Sequence, residues 1–211
     1  MIKKKEGSKM KKVGKYFREV SVVIIGVTIT LIATNWINSR GEQQDLQLYL
    51  DAVKLELEDN LVLLRKAESY MDLTLDYSYY LASNKPEEYS VDTLDKYKPI
   101  TQNYYFFIYK TGAFDMLKTS GAMRLLEDKG LLLDIWNSYS SLELYRAEHD
   151  DYMRRKVDAL EEAISRNKDV ASVDIGDPNQ RPLRNFYLTY SSIGDLDSCI
   201  AQVTKTLTRF K

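Results

Sequence analysis

A run of eighteen residues without a formal charge, Val20–Ile37, constrains this chain more than any other feature of its sequence. As a helix rising about 1.5 Å per residue, the run is about 27 Å long, close to the ~30 Å hydrocarbon core of a bilayer. A core helix is seldom apolar all round and directly preceded by a basic segment. A cleaved signal peptide needs a shorter apolar run and a small-residue cleavage site, and the run ends in Asn35–Asn38 instead. The run therefore predicts a retained transmembrane signal anchor.

Charge is distributed unevenly on the two sides of this run. Residues 1–19 carry eight Lys or Arg and two acidic residues, whereas the first 17 residues after the run carry only Arg40 and Lys54 as basic residues. The positive-inside rule then places residues 1–19 in the cytoplasm and residues 38–211 outside it. No later stretch matches the run in length and apolarity, so we expect a single-pass protein.

Four side chains are predicted to mark the two membrane interfaces. Lys15 and Arg18 precede the span together with Glu19, and Trp36 stands at its far end, where indole rings favour the headgroup level. Basic residues near the surface also attract anionic lipid headgroups, by about 1 kcal/mol each. The basic segment therefore indicates a lipid bilayer as partner. It is too short and too closely tied to the bilayer to suggest a nucleic-acid arm, and the formal net charge of the whole chain is −1.

The stretch Glu19–Trp36 also resembles the N-terminal signature of an uncharacterised membrane-anchored family, a domain of unknown function, of Bacteroidota-type bacteria. That signature has a Glu, an apolar run with a central Gly, then Leu-Ile-Ala and Asn-Asn-Trp-Asn. Glu19, Gly26 and Trp36 keep its spacing, whereas Thr34 replaces an Asn. A second Asn of the signature is also replaced, by Ile37.

Two later segments, Tyr49–Leu61 and Leu117–Tyr139, resemble further parts of the same family. The resemblance implies a bacterial inner-membrane anchor followed by a helical periplasmic domain. It implies no enzymatic activity, because none is assigned to the family.

The sequence after the run predicts an all-α fold. A first amphipathic helix extends from Gln43 to Leu81 and ends at Asn84-Lys85-Pro86, because proline cannot continue the hydrogen-bond ladder. Its seam, in steps of three and four residues, contains Leu46, Leu50, Val53, Leu57, Asn60, Leu64, Ala67, Met71, Thr74, Ser78 and Leu81. This spacing is typical of a coiled-coil-like contact.

The middle of the chain is less regular. Residues 84–100 form a polar connector with a short helix around Ser90–Tyr97. Ile100–Lys118 is a second helical candidate, but its aromatic part, Tyr104–Tyr109, also suits a strand, and both alternatives stay open. Gly121 is expected to form a left-handed cap.

A third long helix is predicted from Asp128 to Ser165, and a last helical region, Leu183–Phe210, with a break near Gly194. The inward stripe of the third helix consists of Leu132, Ile135, Tyr139, Leu142, Arg146, His149, Met153, Val157, Leu160 and Ile164. Together the helices predict an elongated antiparallel bundle of two long and two shorter members, extending from the transmembrane span.

No pattern of catalytic residues stands out, and we expect neither an enzyme nor a cofactor. His149 is the only histidine, so a metal site or pH sensor is less expected than a histidine at a helix seam, bonded to a neighbouring helix. Cys199 has no adjacent base and reads as a small core residue. Acidic pairs such as Glu56 and Glu58 read as a solvated face. The sixteen tyrosines are expected mainly to pack helix contacts.

Within the predicted span, Gly26, Thr30 and Thr34 recur every four residues on one face. Small residues at this spacing let helix backbones approach closely, so this face predicts a homo-oligomer or contact with another membrane protein. The function that remains is a membrane-anchored extracytoplasmic helical scaffold or accessory subunit acting through protein–protein contacts. The alternative is a ligand-sensing periplasmic bundle that signals through a partner chain.

Overall fold

The computed structural model describes the backbone of residues 6–101, 103–166, 181–190 and 194–210; the side chains of residues 6–22, 35–39 and 166 lie outside this description. All regular structure in these ranges is helical, which confirms the predicted all-α class. The helices are α1 (Glu6–Ser83), α2 (Val91–Asp95), α3 (Lys98–Thr101), α4 (Gly112–Thr119), α5 (Lys129–Arg166), α6 (Arg181–Thr189) and α7 (Leu196–Leu207). The chain divides into two compact units, Met1–Leu48 and Tyr49–Lys211.

In the first unit, the side chains from Val23 to Thr34 are all exposed. Among the residues whose side chains are described, no helix contains a stretch that is long and apolar enough to cross a membrane. Six residues of the predicted span Val20–Ile37, namely 20–22 and 35–37, have side chains that the structure does not describe.

In the second unit, the α1 seam forms as the spacing predicts. Seam positions from Leu50 to Leu81 are buried, except for the half-buried Met71. The seam includes the polar residues Asn60 and Thr74, both without any exposed surface. The helix ends at Ser83, three residues before Pro86, as predicted.

The two long helices run in the same direction, so the prediction of an antiparallel pair is wrong for them. Near the start of α5, the Tyr139 hydroxyl donates a 2.5 Å hydrogen bond to Glu56 on α1. Further along α5, the Tyr152 hydroxyl lies beside Thr74 and Tyr70 of α1. Residue numbers therefore rise together along both helices. The chain returns between them through residues 84–128, and hydrophobic spacing within each helix carries no information on this direction.

The antiparallel partners of α5 are α6 and α7. Lys205 of α7 pairs with Asp134 near the start of α5 at 2.7 Å. Arg155, near the other end of α5, donates to the hydroxyl of Tyr190 just after α6 at 3.0 Å. The predicted break near Gly194 is confirmed, since Gly194 has a φ of 52° and α7 begins two residues later.

The predicted helix Ile100–Lys118 does not form as one element. The short helix α3 ends at Thr101, residues 103–111 form no regular secondary structure, and α4 begins at Gly112. Tyr104–Tyr109 is therefore neither a helix nor a strand of a sheet among the described residues. Its side chains alternate between more and less exposed, as those of an extended chain do. The predicted cap is confirmed, because Gly121 has a φ of 73°.

Candidate interaction site

Residues 103–111, here the extended segment, lie between α1 and α5. On the α1 side, the hydroxyl of Tyr105 donates to the carbonyl of Leu63 at 3.4 Å. On the α5 side, Phe107 meets the ring of Tyr145 edge to face, with centroids 4.9 Å apart. The segment thus contacts both long helices with the side chains of its inner face.

A buried amide of α1 fixes the end of the extended segment. The Nδ2 of Asn60 donates to the carbonyl oxygen of Lys110 at 2.9 Å, and the Lys110 N–H donates to the Asn60 Oδ1 at 2.8 Å. These are the two bonds that a residue of a neighbouring antiparallel strand supplies. Asn60 therefore replaces a strand partner and favours the extended backbone at Lys110.

One helical turn earlier, Glu56 holds the start of α4. Its carboxylate accepts from the N–H groups of Ala113 at 2.8 Å and Phe114 at 3.2 Å, which the helix itself cannot satisfy. It also accepts from Tyr139, whose pKa is raised by burial and then by this bond. Glu56 is 9 % exposed, so its prediction as a solvated residue is wrong. The available signal for its burial was its spacing, since Glu56 follows Val53 by three residues and precedes Asn60 by four, and both are buried.

The other end of the extended segment is held by a buried lysine. The Nζ of Lys156 donates to the carbonyl oxygens of Ile100 at 2.6 Å and Asn103 at 2.8 Å. Lys156 is 1 % exposed, and burial lowers its pKa to about 8. The Tyr187 hydroxyl donates to the same Ile100 carbonyl at 3.1 Å. The sequence did not lead us to expect a buried Lys156, although this residue follows Met153, a member of the predicted inward stripe, by three residues.

The outward face of the extended segment is apolar and unpaired. Its alternate side chains, Tyr104, Phe106 and Ile108, are 40 %, 56 % and 75 % exposed. From Tyr104 to Tyr109, the backbone N–H and C=O groups form no hydrogen bond with any other described residue. Phe107, between Phe106 and Ile108, is 1 % exposed, so its backbone groups are shielded from solvent. What the outward face offers to another chain is its exposed apolar side chains.

His149 lies at a helix seam, as predicted, but makes no bond to a neighbouring helix. It has no exposed surface, and among the described residues neither ring nitrogen has a hydrogen-bond partner. The rings of Tyr105, Phe107 and Tyr145 surround it at centroid distances of 5.7, 6.4 and 6.1 Å. Burial lowers its pKa to about 4, against a smaller opposite effect of Asp150. The imidazole is therefore neutral at physiological pH.

The core offers little for nucleophilic or metal chemistry in the part of the chain that the structure describes. Cys199 is buried on α7, and burial raises the pKa of its thiol to about 12. The reactive thiolate is then scarce at neutral pH. No three His, Cys, Asp or Glu side chains of these residues converge on a metal position.

An open cleft of about 520 Å³ lies beside α5. It is lined by Ala147, Glu148, Asp151, Tyr152, Arg155, Tyr190 and Gly194. Arg155 is already bound to Asp151 at 2.7 Å and to the Tyr190 hydroxyl at 3.0 Å. The arginine that lines the cleft is therefore already bound by groups of the cleft itself.

Some tyrosines pack helix contacts and others remain on the surface. Tyr77 is 1 % exposed, and its ring centroid lies 4.7 Å from that of Tyr97 and 4.9 Å from that of Tyr187. Tyr79, two residues later, is 64 % exposed. The expected packing role therefore holds for Tyr77 and not for its neighbour.

The residues predicted for the membrane lie in the first unit. Gly26, Thr30 and Thr34 are exposed, and nothing within 4 Å would meet a Cβ placed at Gly26. The hydroxyl of Thr30 donates to the Gly26 carbonyl at 2.9 Å. Among the described residues, no other part of the chain therefore covers this face at Gly26. Four predicted interface side chains are outside the described residues: Lys15, Arg18, Glu19 and Trp36.

Comparison with known proteins supplies no relative from which a role could be transferred. No protein-family model, no curated protein and no solved structure matches the chain. The functional argument therefore depends on the residues themselves.

Proposed function

We propose that this chain is a membrane-anchored extracytoplasmic helical module, a scaffold or accessory subunit that acts through protein–protein contacts. The outward face of the extended segment carries the proposal. It presents the large apolar side chains of Phe106 and Ile108, which are 56 % and 75 % exposed. Exposed apolar patches of this kind mark interaction sites. Nothing in the proposal requires a cofactor, a metal, a nucleic acid or an enzymatic reaction.

The anchor is proposed from the sequence run Val20–Ile37 and from the basic segment before it. The likeness of Glu19–Trp36 to the membrane-anchored bacterial family supports the same placement. The exposure of Val23 at 64 % and Ile29 at 61 % also fits, since such side chains need apolar surroundings. The basic flank supports an N-terminus in the cytoplasm and residues 38–211 outside it. The likeness to the bacterial family implies that the membrane is the inner membrane and that the outside is the periplasm.

A reporter that is active only in the cytoplasm tests this placement. Fused after Lys211, it is expected to be silent in cells that produce the full chain, whereas the same reporter fused before residue 1 should be active. Activity of the C-terminal fusion would contradict the orientation.

The partner contact is tested by isolating the full-length protein from membranes in mild detergent. We expect co-purifying proteins that are lost from a Phe106→Ser/Ile108→Ser variant. Val91→Ser is the matched control, because Val91 is 74 % exposed but lies on α2, outside the extended segment. Identical co-purifying proteins from all three forms would contradict a role for this face.

Ligand sensing through a partner chain is the second candidate function. It is favoured by one observation, the unpartnered polar atoms of His149 and Tyr145 inside the bundle. Native mass spectrometry of the intact protein distinguishes the two candidates. A retained small molecule would favour sensing, and a bare chain together with lost partners in the Phe106→Ser/Ile108→Ser variant would favour the scaffold.

A further inference from the structure

Two polar side chains lie without partners in the interior of the second unit. Tyr145 and His149 are one turn apart on α5, 1 % and 0 % exposed. Among the described residues, the Tyr145 hydroxyl and both His149 ring nitrogens make no hydrogen bond. The two ring centroids are 6.1 Å apart and both rings contact Phe107, so the two side chains are neighbours in the same part of the core. We call them the His149–Tyr145 cluster.

The chemistry of the cluster defines what can satisfy it. A neutral imidazole has one nitrogen that donates and one that accepts, and a phenol hydroxyl does both. A guest must therefore both donate and accept. It must also be small, because Tyr105 and Phe107 pack directly against the imidazole.

Charged guests are disfavoured by the groups around the cluster. The negative charge of Glu148 is felt electrostatically at the Tyr145 hydroxyl, and the negative charge of Asp150 is felt at the imidazole of His149. Both would repel an anion. The only positive group found over these rings in the described residues is Lys66 of α1, whose Nζ lies 5.5 Å from the Tyr105 centroid. A cation would lose its hydration among phenyl and phenol rings, which is costly.

We propose that the His149–Tyr145 cluster is an internal water site, in which bound water accepts from and donates to the imidazole and the Tyr145 hydroxyl. Internal waters in proteins typically satisfy buried polar groups of this kind, with about three hydrogen bonds each. The rival explanation is that the two side chains are simply left unsatisfied, and the two explanations predict opposite effects of removing the hydroxyl.

Tyr145→Phe in the full chain, in mild detergent, is the first test. If water is bound, this change removes a hydrogen bond, and the midpoint of chemical unfolding should fall. Tyr187→Phe is the matched control, because the Tyr187 hydroxyl is buried and bonded to the Ile100 carbonyl. Both variants should shift the midpoint in the same direction. A higher midpoint for Tyr145→Phe would show that its hydroxyl has no partner and would overturn the proposal.

Nuclear magnetic resonance of the unmodified protein provides a test that no folding defect can obscure. His149 is the only histidine, so isotope-labelled histidine reports on this site alone. We expect magnetisation transfer from water to the ring protons of His149, weakened in Tyr145→Phe. Absence of transfer in the parent protein would exclude water. A small organic molecule retained there in native mass spectrometry would replace water as the occupant and overturn the proposal as well.

Discussion

The side-chain amide of Asn60 forms hydrogen bonds with both backbone groups of Lys110, a residue fifty positions further along the chain. This pair of bonds makes the extended backbone at Lys110 a tertiary feature and not a local one. The exposed face proposed to bind a partner is therefore supported from within by a side chain that solvent never reaches.

Replacing Asn60 by Ala should destabilise the fold by about 2–3 kcal/mol, because it leaves the Lys110 N–H and C=O without their partner and opens a small cavity. Asp59→Ala is the control. Asp59 pairs with the side chain of the same Lys110 at 2.6 Å, but both side chains are more than half exposed. An exposed pair contributes at most about 1 kcal/mol. Urea unfolding of the two variants measures the difference, and equal losses would contradict a special role for the amide.

Stability should rise with pH between about 8 and 10.5 through Lys156. Its pKa in the folded state is about 8, below the ordinary lysine value of 10.5. In this window the unfolded chain binds more protons, so raising the pH favours the folded state. The shift corresponds to about 3 kcal/mol in total.

Lys156→Met isolates this effect from the titration of the tyrosines, which both proteins share. The difference in unfolding free energy between parent and variant should move in favour of the parent from pH 8 to pH 10.5. A difference that stays constant over this range would mean that Lys156 keeps an ordinary pKa in the folded protein.

On the acid side, His149 should destabilise the fold. Its pKa in the folded protein is about 4, below the ordinary 6.5. The neutral imidazole therefore contributes fully to the free energy of unfolding above pH 6.5, and this contribution is lost as the pH falls toward 4. The expected loss is about 3 kcal/mol. Compared with His149→Phe, which cannot take up the proton, the parent should lose stability faster from pH 6.5 to 4.5 in thermal unfolding. Parallel pH profiles would contradict the lowered pKa.

If residues 20–37 form the proposed anchor, Gly26→Ile should weaken the proposed self-association of that helix in a membrane two-hybrid assay, because a bulky side chain would keep the two helix backbones apart at the face of Gly26, Thr30 and Thr34. Val23→Ile is the control, since it changes an already large residue. We expect a reduced signal for the first variant and an unchanged signal for the second. If all three helices associate equally, this face has no role in self-association.

Local spacing was sufficient to predict the buried seam of α1 and where the helix ends, but not the burial of Glu56 and Tyr77 beside that seam. The positions of Asn60 and Thr74 on the predicted seam show that helical phase outweighs residue polarity in determining burial. The stop before Pro86 and the positive φ of Gly121 follow equally from local chemistry.

Contacts between distant parts of the chain determine the features that local spacing could not predict. The sequence of Tyr104–Tyr109 suits both a helix and a strand, and in the fold this segment packs between α1 and α5 without forming a helix. Glu56 is acidic among other acidic residues, so only the folded arrangement reveals that it binds the start of α4. The His149–Tyr145 cluster could not be predicted from the sequence either, because Tyr105 and Phe107, which pack around it, come from the extended segment.

The common direction of α1 and α5 also determines how the chain can reach its native state. Two neighbouring helices in a hairpin meet as soon as the turn between them closes, but Glu56 and Tyr139 are 83 residues apart. Closing so long a loop costs entropy before any contact offsets it, and high contact order slows folding. During synthesis, residues around Tyr105 and Lys110 can already contact α1, but the positions of α1 that meet α5 remain uncovered until α5 has left the ribosome.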